Sequence, residues 1–180
     1  LVRAALNVPI ADGKVSGSFR LRRAVPTIEY LLKRHARVVL VGHIGDKGTE
    51  TLFPVYEALK EVFPRIAFCP VSTGSTVREA VRSLPAGGLL LLENLRRNRG
   101  EIMNMESFAR ELAGLADIFV EDSFDVCHRK HASVVGVSAF LPSYAGLLVE
   151  EEVRELGKAL KPKKPSLAIV GGAKFATKEG

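Results

Sequence analysis

Phe119-Val-Glu-Asp-Ser-Phe-Asp-Val-Cys-His-Arg-Lys-His-Ala-Ser133 is the stretch on which the reading of this chain turns. It belongs to a run opening Asp117-Ile-Phe-Val-Glu121, whose three consecutive large apolar residues suit a strand buried on both faces. The run then opens into a loop where His128, Arg129, Lys130 and His131 stand together. Four potential cations at the end of a buried strand repel one another, and that repulsion needs an anion, a carboxylate or open water to offset it. A solvated basic loop is the ordinary explanation of such a run. The case for more than that is that the arrangement recurs along the chain.

Working outward, Gly88-Leu-Leu-Leu-Leu92 is a second buried strand, followed by Glu93, Asn94, Arg96, Arg97 and Arg99. Arg37-Val-Val-Leu-Val41 is another and runs into Gly42-His43-Ile44-Gly45-Asp46, while residues 1–6 lead to Asn7-Val-Pro and an Asp12-Gly13 turn. A short strand is expected at 66–69. Helices are expected at 19–34, 52–62, 105–115 and 147–160. The first carries the stripe Leu21, Ala24, Val25, Ile28, Leu31 and Leu32, with Pro26 inside it as a possible kink. Thr76-Val-Arg-Glu79 fits a capping box opening a helix to about residue 84. In the last helix Glu150 stands four residues before Arg154, a favourable exposed pair. Strands alternating with helices specify an α/β fold, an open parallel sheet with helices on both faces in a Rossmann-like three-layer arrangement.

In such a sheet the loops that follow the strands share one rim, where ligands bind. That rim receives Asn7, with Arg20 at the start of the next helix, then His43, then Arg96, Arg97 and Arg99, then His128, Arg129 and His131. Donors from four strand ends suit a small polyanion, phosphate plus carboxylate, held by guanidinium forks. Arg22 and Arg23 are expected to face solvent, and Glu93 and Asn94 to satisfy loop backbone groups. The glycines beside His43 imply close backbone approach.

The 180 residues carry a net charge of +6. An anionic partner follows from this, but 7% aromatics without tryptophan make a poor stacking platform for nucleic acid. Cys69 and Cys127 form neither a disulfide framework nor a zinc-ligand spacing, and no apolar run reaches membrane-span length. No metal site, nucleic-acid partner or membrane partner is expected, and the chain reads as cytoplasmic. It lacks an initiating Met, which suggests a piece of a longer protein. Lys161-Pro-Lys-Lys-Pro165 reads as a linker, and a strand at 166–170 ends in Gly171-Gly-Ala-Lys174, a turn whose amides suit phosphate.

Taken together, Asn7-Val-Pro, Arg20 to Ile28, Gly42-His-Ile-Gly45, Leu90-Leu-Leu-Glu-Asn-Leu-Arg96, His128-Arg-Lys-His-Ala-Ser133, Phe140-Leu-Pro-Ser143 and Gly171-Gly-Ala-Lys174 resemble the phosphoglycerate kinase family over nearly the whole chain. The resemblance implies a truncated two-domain kinase. Residues 1–146 would form the 3-phosphoglycerate domain, 147–165 the interdomain helix and hinge, and 166–180 the start of a nucleotide domain. It implies a glycolytic, monomeric enzyme that passes a phosphoryl group reversibly between Mg-ATP and 3-phosphoglycerate, with the Mg²⁺ carried by the nucleotide. By position it assigns Asn7, Arg20, His43, Arg96, His128 and Arg129 to the acid substrate, and Arg20 and Lys174 to the transferring phosphoryl group. Gly171, Gly172, Lys174 and Lys178 fall to the nucleotide. The family pattern is broken where an aspartate is replaced by Ala5, an arginine by Asp46 (with Lys47 beside it as a stand-in cation), an asparagine by Glu121 and a glycine by Asp125. These departures leave a second reading, a non-catalytic anion-binding relic of the same fold; a nucleic-acid-binding domain is the weaker rival.

Overall fold

The computed structural model describes residues 1–167, so Gly171, Gly172, Lys174, Lys178 and residues 168–170 of the strand expected at 166–170 lie outside the described residues. The strands are β1 (Val2–Ala4), β2 (Ile10–Ala11), β3 (Lys14–Val15), β4 (Val38–Val41), β5 (Ala67–Cys69), β6 (Leu89–Leu92), β7 (Phe119–Asp122) and β8 (Ser143–Ala145). The helices are α1 (Phe19–Leu32), α2 (Phe53–Lys60), α3 (Ser75–Ser83), α4 (Arg99–Ile102), α5 (Glu106–Ala113) and α6 (Leu147–Ala159). Six strands pair in the order β5-β6-β4-β1-β7-β8. Every neighbouring pair is parallel. β2 and β3 form a separate hairpin. Its turn is Asp12-Gly13, and both residues have positive φ (50° and 72°), the backbone a two-residue hairpin loop requires.

Alternation along each buried strand divides the core in two. Val38 and Leu40 of β4 join Leu21, Ala24, Ile28, Val55 and Leu59 of α1 and α2 on one face. Val39 and Val41 join Val77, Phe108 and Leu112 of α3 and α5 on the other. A period of two in the strands thus feeds two helical layers, and all four β4 side chains are buried. β1 sits between β4 and β7. The chain leaves β1 for β4 on one side and returns to β7 on the other, which makes the carboxyl end of β1 a topological switch point.

Three local expectations are corrected. Helix α1 runs unbroken through Pro26, whose ring lies on its exposed side. The capping box does not form: α3 is capped by Gly74 at a φ of 94°, a conformation that favours glycine, with no side-chain cap bond. The amide of Gly74 instead donates to Glu111 Oε1 at 2.8 Å. In α6, Arg154 turns to its neighbour Glu155 at 3.2 Å instead of to Glu150.

Candidate functional site

The root of the rim is a buried guanidinium. Arg3 lies on β1 opposite Val41 on one side and Glu121 on the other, and is 1% exposed. Its Nε donates to Ser133 Oγ (3.0 Å), its Nη1 to the Ala4 carbonyl (2.8 Å) and its Nη2 to His43 Nδ1 (2.8 Å). Arginine can only donate, so His43 Nδ1 must accept and the imidazole carries its proton on Nε2. Burial, then the charges of Arg3, Arg96 and Arg129, push the His43 pKa down to about 2. At neutral pH His43 is therefore an uncharged imidazole, so it adds no cation to the rim.

A buried carboxylate organises the far side. The loop after β7 passes through the basic run into a π-helical turn at Ala132–Gly136. There Glu101, fully buried, accepts from the Ser133 amide (2.9 Å) and hydroxyl (2.6 Å). Ser133 thereby links Glu101 to Arg3. His131 is buried beside Glu101, its Nδ1 3.8 Å away and without a partner, and burial lowers its pKa. On β7, burial raises the Glu121 pKa to about 8 against the pull of Arg3 and the Ser123 amide. Burial also raises Asp122, whose Oδ1 accepts from the Leu148 amide at 2.9 Å. One oxygen of each of these two carboxylates has no hydrogen-bond partner.

Above this layer stand the candidate binding residues. Asn7 Oδ1 accepts from the Gly45 amide (3.0 Å), and its carbonyl accepts from Arg20 Nη1 (2.9 Å). Arg20 also reaches Asp125 Oδ2 at 3.2 Å. Arg96 Nη1 donates to the Gly45 carbonyl (2.6 Å) and to Asp46 Oδ1 (3.1 Å). Loops from β1, β4, β6 and β7 are thus joined through Asn7, Gly45, Arg20 and Arg96. The close approach that the glycines foretold is made by the protein itself: a Cβ on Gly42 would overlap Leu6, and Gly45 holds a φ of 66° against Glu50.

Glu93 and Asn94 do satisfy loop backbone. Glu93 accepts from Thr51 Oγ1 (2.6 Å), the amides of Leu52 and Asn94 (both 2.7 Å) and Arg97 Nη1 (3.1 Å). Asn94 donates to the carbonyls of Ile44 (2.8 Å) and Glu50 (2.9 Å) and accepts from the Arg96 amide at 3.1 Å. Arg97 is accordingly tied to the protein, and so is Arg23, which pairs with Glu151 at 2.9 Å instead of facing solvent. His128 and Arg129 are exposed, and Arg129 lies within electrostatic reach of both His43 and His131. A pocket of about 200 Å³ opens beside Arg20, lined by Ala5, Phe19, Phe124, Asp125 and Leu148.

Arg3, Glu101 and Ser133 escaped the sequence reading. The available signal was a lone arginine inside an otherwise apolar strand, a placement that requires buried partners. Among the described residues no group of three or more His, Cys, Asp or Glu side chains is placed to hold a metal ion, and no helix is long and apolar enough to cross a membrane.

Comparison with known proteins extends the picture. A phosphoglycerate kinase of Chlamydia caviae is 46% identical over 100% of this chain and 48% of its own length. One from a Wolbachia strain is 42% identical over 99% of this chain and 46% of its own. The solved phosphoglycerate kinase of Coxiella burnetii superposes with a TM-score of 0.84 at 35% identity, covering 98% of this chain and 46% of that one. That of Pyrococcus horikoshii gives 0.89 at 30% identity, covering 96% and 46%. The chain therefore spans about half the length of the relatives it matches. With the family described as phosphoglycerate kinase matching residues 1–180, on a parallel sheet shared with solved members, the chain belongs to the phosphoglycerate kinase family.

Proposed function

We propose that this chain supplies the acid-substrate half of a phosphoglycerate kinase. It binds 3-phosphoglycerate along the carboxyl rim of the sheet and presents it to Mg-ATP held by a nucleotide-binding half. The observation that supports this reading is the gathering of Arg20, Arg96 and Arg129 above the buried Arg3–His43 pair. Guanidinium forks at several points of one sheet edge suit a ligand with a phosphate at one end and a carboxylate at the other.

The chemistry asked of these residues is positioning and charge neutralisation. The substrate carboxylate is itself the nucleophile toward the γ-phosphorus of ATP. An O–P bond forms as the bridging O–P bond to ADP breaks, and no protein nucleophile is needed. Neutral His43 orients without adding charge. Arg20, which lines the pocket, takes the role of following the transferring group, and Lys174, Gly171 and Gly172 keep the nucleotide-side roles that the family resemblance implies. ATP is a substrate here, and its Mg²⁺ arrives with it.

Calorimetric titration of 3-phosphoglycerate into this chain at low salt is expected to give weak binding that Arg96→Ala abolishes. In an enzyme pairing this chain with a nucleotide-binding half, Arg20→Ala is expected to lower kcat about 10²–10³-fold. KM should change far less, because the interaction matures in the transition state. A loss confined to KM overturns that role, and binding without turnover in the intact enzyme returns the reading to an anion-binding relic.

A further inference from the structure

Arg20 and Arg96 are engaged in the same way. In each, Nη1 is shared between a main-chain carbonyl and an aspartate. Arg20 takes the Asn7 carbonyl at 2.9 Å and Asp125 Oδ2 at 3.2 Å. Arg96 takes the Gly45 carbonyl at 2.6 Å and Asp46 Oδ1 at 3.1 Å. The carbonyls belong to the rim and fix where each guanidinium points. The carboxylates are of another kind. Asp46 has a side chain 93% exposed against 4% for its arginine, and Asp125 is 30% exposed. Among the described residues neither guanidinium has a protein partner on Nε or Nη2.

We propose that Asp46 and Asp125 are internal counter-ions that occupy the two arginines until a ligand anion displaces them, and that they thereby set the affinity of the rim for its substrate. This inference rests on the reading of the rim as a 3-phosphoglycerate site and adds how that site is regulated. The carbonyl contact keeps the fork aimed while the carboxylate swings into water, so exchange needs no backbone motion. Asp46 has little to lose on leaving, because an exposed carboxylate is well solvated either way. A displaced aspartate also stays close enough to repel what replaced it, and the repulsion grows with ligand charge. The pair therefore weakens a phosphate dianion more than a simple monocarboxylate. Asp125 is further tied to Ser123 Oγ at 2.7 Å, which makes it the slower of the two to leave.

The test is titration of the chain with 3-phosphoglycerate, inorganic phosphate and lactate, comparing wild type with Asp46→Asn, Asp125→Asn, the double variant and Arg96→Ala. Exposed ion pairs are worth about 0.2–1 kcal/mol, so each Asp→Asn change is expected to tighten 3-phosphoglycerate about 1.5- to 5-fold. The double variant should give roughly the product, since the two pairs share no residue. The gain should be smaller for lactate. Asp46→Asn, at a surface position, is expected to leave the unfolding midpoint unchanged, which keeps the result interpretable. If Arg96→Ala abolishes binding while neither Asp→Asn change tightens it, the counter-ion inference fails and the site reading stands. If Arg96→Ala leaves binding intact, the site reading itself fails. Binding that emerges only in the double variant supports the inference, and no binding in any variant overturns both.

Discussion

Arg3 and Arg129 stand within one rim and are used in opposite ways. Arg3 is 1% exposed and directs its guanidinium at a serine, a carbonyl and an imidazole of the protein. Arg129 is exposed, and its backbone amide donates to the Val126 carbonyl at 2.8 Å. The inner arginine shapes the site and the outer one is left for solvent or a ligand. Sequence spacing places only Arg129 among the rim cations; burial and its partners bring Arg3 into the site from beneath. A buried charge must be fully partnered, and its removal orphans those partners. An exposed charge costs the fold almost nothing to lose.

Four predictions put pressure on that contrast. Arg3→Met is expected to destabilise the chain by about 3–5 kcal/mol in urea unfolding, because Glu101 stays buried without the nearby Arg3 charge and Ser133, the Ala4 carbonyl and His43 lose their buried donor. A change below about 1 kcal/mol would make the inner tier dispensable and erase the distinction. Glu93→Ala, which strands donors from Thr51, Leu52, Asn94 and Arg97, is expected to cost about 2–3 kcal/mol in the same assay.

The third prediction concerns pH. His43 titrates near 6.5 unfolded and about 2 folded, so its contribution is present above pH 6.5 and is lost as pH falls below it. Glu121 titrates near 4.5 unfolded and about 8 folded, so its contribution is present below pH 4.5 and is lost as pH rises toward 8. From these two groups stability falls below pH 4.5, is level between 4.5 and 6.5 where they offset, and falls again from 6.5 to 8. Over that upper window the loss is roughly 2 kcal/mol at 1.36 kcal/mol per unit. Glu121→Gln is expected to flatten the upper arm and to unmask the His43 slope between 4.5 and 6.5, where stability then rises with pH; an unchanged upper arm would assign the loss elsewhere. The smallest stability effect belongs to Arg129→Ala, within about 0.5 kcal/mol of wild type, while the heat of 3-phosphoglycerate binding disappears.

The sheet was legible because its central strands are buried on both faces. Val38–Val41 and Leu89–Leu92 are unbroken apolar runs that no surface helix would carry. Ser143–Ala145 was missed for the converse reason: all three residues are exposed, and pairing with β7 makes it a strand without any hydrophobic signal. Asn7, Arg20, His43 and Arg96 could be placed on one rim because a parallel sheet fixes which loops are neighbours. Their partners could not be foreseen. Glu101 lies outside every element expected from the sequence, in the short helix α4, yet is fully buried, where it meets Ser133 of a π-helical turn in a distant loop. Asp46 and Asp125 were visible as departures from a pattern, but the arginine each would contact depends on loop conformation, which periodicity does not encode.

Glu93 draws together Thr51, the first backbone of α2, Asn94 and Arg97, segments more than 40 positions apart in the chain. Its neighbours are therefore not free to drift one at a time. Among descendants of this sequence, substitutions at 51, 93 and 97 are expected to arrive as linked sets, while insertions that lengthen the turn between Lys47 and Glu50 should be absorbed only where that carboxylate keeps its reach.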